Sequence, residues 1–242
     1  MSFVYYLNNR RVRELNPLMQ DMLYDLFDNI DDDSVVYARE NYTKSKGDFF
    51  VTIGSIQKII SLKLGDNGSF HLEPISEFIH FLILNKIPRD IIVKYLKFQY
   101  ADGTTNGSGN NRISVQEYKK EHQQDIELMN KYFNNEKFIK ECIYRFVLKG
   151  REKGFEEIDA LICGRVNDFV YIKKHDIISI ILSHANLNST GLHVGSLFIQ
   201  PQSRNLNYNV KYEKCRFCVQ IKWFNFFDQV IEYKNNLVSI GK

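Results

Sequence analysis

Two runs of β-branched and aromatic residues in the first third of the chain constrain its fold most. Residues 49–53 read FFVTI and residues 56–64 read IQKIISLKL, and only Gly54 and Ser55 separate the two runs. Runs of this composition on either side of a short turn are typical of a β-hairpin. The sequence therefore predicts an antiparallel pair of strands over residues 49–64.

Helical and extended patterns alternate along the rest of the chain. Apolar residues at helical spacing predict helices, and β-branched or alternating runs predict strands. The predicted helices cover residues 14–28, 75–84, 88–98, 114–133, 135–148, 174–183 and 224–234. The further predicted strands cover residues 157–163, 169–172, 191–200 and 215–223. Together these elements predict an α/β fold with helices inserted between two groups of strands.

The composition indicates a globular chain with a substantial core. Hydrophobic residues make up 44% of the 242 residues and charged residues 25%, and the net charge is +3. This balance allows a basic cleft for nucleic acid without requiring one. No run approaches the roughly 20 apolar residues that a membrane span needs, and the first residues lack a signal-peptide pattern. With four scattered cysteines, we expect a reducing, cytoplasmic location and no membrane partner.

The hairpin carries residues that suit phosphodiester chemistry. Asp48 stands at the start of the first strand, and Ser61, Leu62 and Lys63 lie near the end of the second. Because side chains alternate along a strand, Ser61 and Lys63 lie on the same face. An aspartate at the start of the opposing strand can then share a Mg²⁺ ion with this triplet. We expect Lys63 to orient the attacking water and to offset charge on the phosphorus.

The second carboxylate of such a metal site is open. In a triplet of this kind, the residue two positions before the lysine is usually Glu or Asp. Ser61 occupies that position here, and a serine is a poor Mg²⁺ ligand. Thirteen residues separate Lys63 from Glu77 and nine separate it from Glu73; we expect both on the helix that follows. Glu40, before the hairpin, is a third candidate.

The order of these segments resembles a known enzyme group. The hairpin KGDFFVTIGSIQKIISLKLG is followed by a helix, a polar loop ending in NNR and the helix SVQEYKKEHQQDIELMNKYF. A strand–loop–strand unit, STGLHVGSLFIQPQ to KCRFCVQIKWFNFFD, comes last. From about residue 46 to the end, this order is similar to that of the small type II restriction endonucleases of the MspI-like group in the PD-(D/E)XK superfamily. Ser61 departs from the Gln or Asn that close relatives have before the lysine.

The resemblance implies a fold, a reaction and a set of partners. It implies a restriction-endonuclease-like core, a central mixed β-sheet flanked by helices, and Mg²⁺-dependent hydrolysis of double-stranded DNA that leaves 5′-phosphate ends. A subset of restriction enzymes carries a Ser-x-Lys strand with the glutamate moved to the next helix. This pattern favours Glu77 as the partner of Asp48 in holding the metal, with the Leu62 carbonyl completing the protein ligands.

The implied organisation is a single endonuclease domain over residues 1–242. Its N-terminal helical part covers about 1–40, the catalytic core about 41–100, a helical insertion about 101–150, and the C-terminal strands with DNA-recognition loops about 151–242. A cognate DNA methyltransferase would belong to the same system. A monomer and a homodimer are both compatible with the sequence.

DNA recognition requires side chains that reach base edges, usually Arg or Lys for guanine and Asn or Gln for adenine. Two predicted loops and the strand pair beside them supply such residues. The candidates for DNA contact are Asn106, Asn110, Asn111, Arg112, Ser189, Thr190, His193, Gln200, Gln202, Ser203, Arg204, Asn205 and Lys222. A plain solvent loop over residues 101–112 and a packing role for His193 stay open.

The sequence contains other partial motifs and is compatible with other functions. Cys215 and Cys218 resemble half of a zinc site, but residues three apart in a strand face opposite sides and could not chelate together. No glycine-rich phosphate loop is present, so no nucleotide cofactor is expected. The alternatives to a restriction enzyme are a repair or nicking nuclease on damaged or structured DNA, a catalytically silent DNA-binding protein, and a structural or interaction protein.

Overall fold

The computed structural model of the chain describes residues 2–43, 45–64, 68–109, 112–151, 154, 156–185, 191–206 and 209–240. Four candidates for DNA contact lie outside the described residues: Asn110, Asn111, Ser189 and Thr190. The side chain of Asn205 also lies outside them.

The described residues form strands and helices in the following order. The strands are β1 (Arg10–Arg11), β2 (Val35–Glu40), β3 (Phe49–Ile53), β4 (Ile56–Lys63), β5 (Ser69–Pro74), β6 (Ala160–Arg165), β7 (Asp168–Lys173), β8 (His193–Val194), β9 (Leu197–Pro201) and β10 (Cys218–Lys222). The α-helices are α1 (Phe3–Leu7), α2 (Pro17–Leu26), α3 (Ile75–Leu84), α4 (Arg89–Tyr100), α5 (Val115–Glu121), α6 (Gln123–Phe133), α7 (Glu136–Ile143), α8 (Lys174–Ser183) and α9 (Phe226–Ile240). Short 3₁₀ helices cover Val12–Glu14, Arg204–Leu206 and Val210–Phe217, and a π-helical turn covers Tyr144–Leu148. No helix of the described residues is both long and apolar enough to cross a membrane.

The hairpin and most of the predicted helices are confirmed, with four differences. The helix predicted over residues 114–133 is divided at His122 into α5 and α6. The strand predicted over 191–200 is the short hairpin β8–β9. The strand predicted from residue 215 begins only at Cys218, because a 3₁₀ helix precedes it. The sequence patterns missed α1, β1, β2 and β5.

The chain divides into two compact units, which alternate along the sequence. The first unit comprises residues 1–66, 143–180 and 225–242, and the second comprises residues 67–142 and 181–224. Each unit has a sheet of its own, so the C-terminal strands β8, β9 and β10 do not join the sheet that contains the hairpin.

The first unit contains a mixed six-stranded sheet flanked by helices. Its strand order is β1-β2-β3-β4-β6-β7, in which β4 and β6 run parallel and the other neighbours run antiparallel. Apolar residues of α1 and α2, such as Phe3 and Met22, pack with sheet residues such as Val51 and Ile60 in one buried cluster. The predicted mixed sheet is therefore confirmed at the level of an α/β fold.

The second unit contains an antiparallel four-stranded sheet and an aromatic core. Its strand order is β5-β10-β9-β8. The ring centroids of Phe78 and Tyr95 lie 4.9 Å apart, and those of Phe133 and Phe138 lie 5.2 Å apart. Because aromatic side chains bury large apolar areas, these rings from α3, α4, α6 and α7 hold the helices of the unit together.

Candidate functional site

Asp48 and the end of strand β4 contact each other directly. One oxygen of the Asp48 carboxylate, Oδ2, accepts a hydrogen bond from the Ser61 hydroxyl at 3.0 Å and one from the Leu62 backbone N–H at 2.6 Å. The Asp48 N–H donates to the Ile60 carbonyl at 2.7 Å. Three hydrogen bonds therefore fix an exposed aspartate against the strand that carries Lys63.

The register of the hairpin determines which side chains share a face. Phe49 pairs with Ile60, so Asp48 stands level with Ser61. Ile60 belongs to the buried cluster of the first unit, and Leu62 packs against that cluster. Because side chains alternate, Ser61 and Lys63 lie on the other face of β4, the face on which the Asp48 carboxylate meets Ser61. The structure thus brings Asp48, Ser61 and Lys63 to one face.

The direction of the Leu62 peptide groups bears on its predicted role as a metal ligand. The N–H and C=O of one strand residue point toward the same neighbouring strand. Since the Leu62 N–H donates to Asp48, the Leu62 carbonyl points to the same edge of β4. The edge therefore offers two kinds of oxygen, one from a carboxylate and one from a backbone carbonyl.

Gly47 sets how closely the segment before Asp48 approaches β4. A Cβ atom on Gly47 would lie 2.2 Å from Cγ2 of Ile59, far inside normal contact distance. The Gly47 carbonyl accepts a hydrogen bond from Nδ2 of Asn41 at 3.0 Å. The absence of a side chain at position 47 is thus a structural condition for the position of Asp48, and no sequence pattern indicates it.

Asp159 holds the opposite edge of β4. Its Oδ2 accepts from the Ile59 N–H at 2.8 Å, its Oδ1 lies 3.3 Å from Nζ of Lys58, and its own N–H donates to the Ile59 carbonyl. Asp159 falls inside the strand predicted over residues 157–163, whereas β6 begins only at Ala160, and no sequence pattern indicates its role. Asp48 and Asp159 therefore fasten β4 from both sides.

The three glutamates proposed as second metal ligands occupy different settings. Glu40 ends β2 and pairs with Phe49, so its side chain faces the side of the sheet opposite to Ser61. Glu73 was expected on a helix; it lies instead on β5, is 2% exposed, and has its Oε2 3.2 Å from Nε2 of His71. Glu77 lies half-buried in the first turn of α3. Glu73 and Glu77 both belong to the second unit.

The oxygen donors at the Asp48 edge fit a Mg²⁺ ion only in part. Mg²⁺ keeps several waters and is commonly held by one or two carboxylates together with substrate phosphates. Asp48 and the Leu62 carbonyl suit that mode of binding. Among the residues that the structure describes, no three His, Cys, Asp or Glu side chains form a preassembled metal cage.

The two arginines predicted to contact DNA bind the chain's own backbone. The Arg204 side chain is 2% exposed and donates to the carbonyls of Phe98, Ile113 and Ser114 at 2.5, 3.2 and 3.1 Å. Burial lowers its pKa to about 9. Arg112 donates to the carbonyls of Gln99 and Tyr100 at the end of α4, and burial lowers its pKa to about 10. Both guanidinium groups serve packing, which corrects their assignment to base contacts.

His193 also has a packing role. It is 3% exposed, its N–H donates to Oδ1 of Asn130 at 3.0 Å, and its Nδ1 lies 3.2 Å from the Gly195 carbonyl. Burial lowers its pKa. A neutral, enclosed imidazole does not suit a contact with DNA, so the alternative packing role is the better one.

Some of the remaining candidates lie at the surface of turns. Asn106 is exposed, and its Oδ1 accepts from the Ser108 N–H at 3.1 Å. The half-buried Gln202 donates its backbone N–H to the Cys218 carbonyl at 3.1 Å. Ser203 adopts a left-handed conformation with φ of 51°. These residues shape the two predicted loops, and only Asn106 is widely open to solvent.

Gln200 and Lys222 share one face of the second sheet. Gln200 pairs with Gln220, and Phe198 pairs with Lys222, so the four side chains lie on the same side. The Lys222 ammonium lies 5.3 Å from the ring centroid of Phe224, which is 45% exposed. We call this set, Phe198, Gln200, Gln220, Lys222 and Phe224, the glutamine face. Phe198, Gln220 and Phe224 were not among the predicted residues.

Comparison with known proteins adds no relatives. No protein-family model matches the chain, and no curated protein matches it at a significant level. The resemblance to restriction endonucleases therefore stays a prediction that rests on the residues and on the geometry described above.

Proposed function

We propose that this chain is a Mg²⁺-dependent endonuclease that cuts double-stranded DNA at a specific sequence and leaves 5′-phosphate ends. The observation that carries the proposal is the Asp48 carboxylate, held level with Ser61 on the face of β4 that also bears Lys63. A carboxylate and an amine on adjacent strands are the two groups that phosphodiester hydrolysis needs beside a cation. The order of the segments along the chain favours the restriction-endonuclease core as the fold.

Lys63 is the group that acts on the attacking water. Its ammonium aligns the water for attack on phosphorus and offsets the negative charge that develops on the phosphoryl oxygens. Asp48 supplies negative charge at the same edge, and its orientation is set by the Leu62 N–H and the Ser61 hydroxyl. Ser61 is therefore a positioning residue, which accounts for a serine where a third acid is usual.

Asp48, with the Leu62 carbonyl, would hold Mg²⁺, and Glu77 is the favoured second carboxylate from the sequence. When bound, the ion supplies Lewis-acid stabilisation of the scissile phosphate and of the leaving oxygen. Glu73 is the weaker alternative because it is buried and already engaged by His71. Glu40 is disfavoured because its pairing with Phe49 directs it to the other face of the sheet.

The glutamine face supplies the groups through which the protein would contact DNA. Glutamine amides can bind adenine edges through two hydrogen bonds, and a lysine suits a phosphate or a guanine. Arg112 and Arg204 are disfavoured for this role because they donate to backbone carbonyls, and His193 is disfavoured because it is buried. Gln200, Gln220 and Lys222 are therefore the residues that we assign to DNA contact.

A digestion of phage DNA tests the proposed function. The protein is incubated with the DNA in Mg²⁺ buffer, and the products are separated on a gel. Discrete bands with 5′-phosphate ends are expected from a site-specific endonuclease. A smear or nicked circles would support the repair or nicking alternative. A gel shift without cutting would support a silent DNA-binding protein, and no effect at all would contradict every nucleic-acid role.

A further inference from the structure

The two cysteines of the Cys215–Cys218 pair lie at the two ends of a closed turn. Val210–Phe217 is a 3₁₀ helix, and the Cys218 N–H donates to the Cys215 carbonyl. Such a hydrogen bond between residues i and i+3 closes a turn whose end Cα atoms lie less than about 7 Å apart. A disulfide requires Cα atoms about 4.4–6.8 Å apart. The expectation that a strand separates the two side chains is therefore wrong, because the strand starts only at Cys218.

The turn is held closed by a buried side chain. Gln99 is fully buried, and its Nε2 donates to the carbonyls of Arg216 at 2.9 Å and Cys218 at 3.0 Å. The two cysteine side chains themselves are half-buried, and both are free thiols. The backbone is thus organised around the pair before any bond forms between the sulfur atoms, and a small reagent has partial access to both.

The charges around the two thiols differ. Burial and the negative charge of the Cys215 thiolate raise the pKa of Cys218. The Arg112 guanidinium, whose pKa burial lowers to about 10, lies within electrostatic reach of Cys215. A thiolate beside a cation is the reactive form of a cysteine. Cys218, whose pKa is raised, is the weaker nucleophile of the pair at neutral pH, which leaves the first attack to Cys215.

We propose that Cys215 and Cys218 form a reversible thiol–disulfide site whose co-reactant is a low-molecular-weight disulfide such as oxidised glutathione. The Cys215 thiolate attacks one sulfur of the small disulfide, which forms a mixed disulfide and releases one small thiol. The Cys218 thiolate then attacks the Cys215 sulfur and releases the second small thiol. Two protein thiols are oxidised to one disulfide with loss of two protons and two electrons, and the small disulfide is reduced to two thiols.

The position of this site links it to a neighbouring loop. Arg216, between the cysteines, donates through Nη1 to the Gly107 carbonyl at 2.9 Å. The Phe217 ring packs edge-on against Tyr100 at a centroid distance of 5.9 Å. The turn that would carry the disulfide is therefore also the anchor of the loop that follows α4.

Peptide mapping after treatment with oxidised glutathione tests the proposal. Cleavage after Glu213 releases one peptide that contains both cysteines, and we expect it to lose two hydrogens while the count of free thiols falls from four to two. Cys142 and Cys163, which are buried, serve as internal controls and remain thiols. In Cys218→Ser the glutathione adduct on Cys215 should persist at about ten times the wild-type level, because the resolving thiol is missing.

Three results would overturn the proposal. They are a lasting glutathione adduct on wild-type protein, a disulfide that involves Cys142 or Cys163, and unreacted thiols at both positions under conditions in which the urea-unfolded chain reacts. Circular dichroism checks that the serine variant folds. If that variant does not fold, the peptide map of the wild-type protein decides the question by itself.

Discussion

Gly47→Ala is the substitution that best tests how Asp48 is positioned. The added Cβ would lie 2.2 Å from Cγ2 of Ile59, whereas carbon atoms in contact lie about 3.5–4.0 Å apart. Either the segment that carries Asp48 or strand β4 must therefore move by about 1.5 Å. Overpacking of this kind costs about 1–3 kcal/mol. A displacement of about 1 Å at a reacting centre can lower a rate by about 100-fold.

A double-mutant cycle isolates this contact. Ile59→Ala removes Cγ2 and by itself should cost about 2–4 kcal/mol, since Ile59 is only 7% exposed. In that background Gly47→Ala should cost close to nothing, and it should no longer reduce DNA cleavage further. Urea denaturation followed by circular dichroism gives the free energies of unfolding.

Gly54→Ala is the control for this cycle, because a Cβ at that glycine would meet nothing within 4 Å and its cost comes from the positive φ of 58°, which does not involve Ile59. Its effect should therefore add to that of Ile59→Ala. If the free-energy costs of Gly47→Ala and Ile59→Ala are also additive to within about 0.5 kcal/mol, then residue 47 does not contact Ile59 closely. The explanation given for the position of Asp48 would then be wrong.

Three further predictions concern single residues. Arg204→Met leaves three backbone carbonyls without their donor and should lower the free energy of unfolding by about 2–5 kcal/mol. The fluorescence of Trp223, the single tryptophan, measures this loss during urea denaturation. A stable variant that loses only DNA affinity would contradict the packing role. Burial lowers the pKa of His193, so the unfolded chain takes up a proton near pH 6.5 while the folded chain does not. Stability should therefore fall as the pH is lowered from 7 to 5, and less so in His193→Gln; parallel pH profiles for the two proteins would refute this assignment. Ser61→Ala removes one of the two hydrogen bonds to the Asp48 carboxylate. It should reduce kcat about 10-fold without changing DNA affinity. An unchanged kcat in a steady-state cleavage assay would show that Ser61 does not belong to the site.

The hairpin was predictable because its information is local. Both strands are rich in β-branched and aromatic residues, and the turn between them needs a glycine with φ of 58°, which Gly54 supplies. Strand β5 was missed because its local sequence does not show the pattern of a strand. Its sequence, SFHLEP, places His71 and Glu73 in the interior as a pair, and a buried pair of polar residues hides the apolar pattern that marks a strand.

Residues whose role depends on distant parts of the chain were assigned less well. Arg204 was assigned to DNA contact because the sequence of a polar loop does not show whether an arginine in it is exposed or buried. Its partners, the carbonyls of Phe98, Ile113 and Ser114, lie about ninety or more residues away in the sequence. Asp159 holds β4 across a similar separation. Sequence spacing carries no signal for such contacts, since they arise only when the elements pack.

The candidate site was predicted in part for the same reasons. Asp48, Ser61 and Lys63 lie within one hairpin, so the two-residue period of a strand was enough to place them on one face. The proposed second carboxylate would lie outside the hairpin, where spacing in the sequence gives only a preference for Glu77. The glutamine face was found through Gln200 and Lys222 alone, because its other members become neighbours only by strand pairing.

Cleavage of one defined DNA site by Asp48→Asn tests the central claim most directly. The amide keeps an oxygen that can accept from Ser61 and Leu62 but removes the negative charge, so folding should be preserved. We expect the single-turnover rate in Mg²⁺ to fall about 1,000-fold or more while DNA affinity stays within a factor of a few. Asp168→Asn, an exposed residue at the start of β7, should cut at the wild-type rate. An Asp48→Asn protein that still cuts DNA at the wild-type rate would contradict the account.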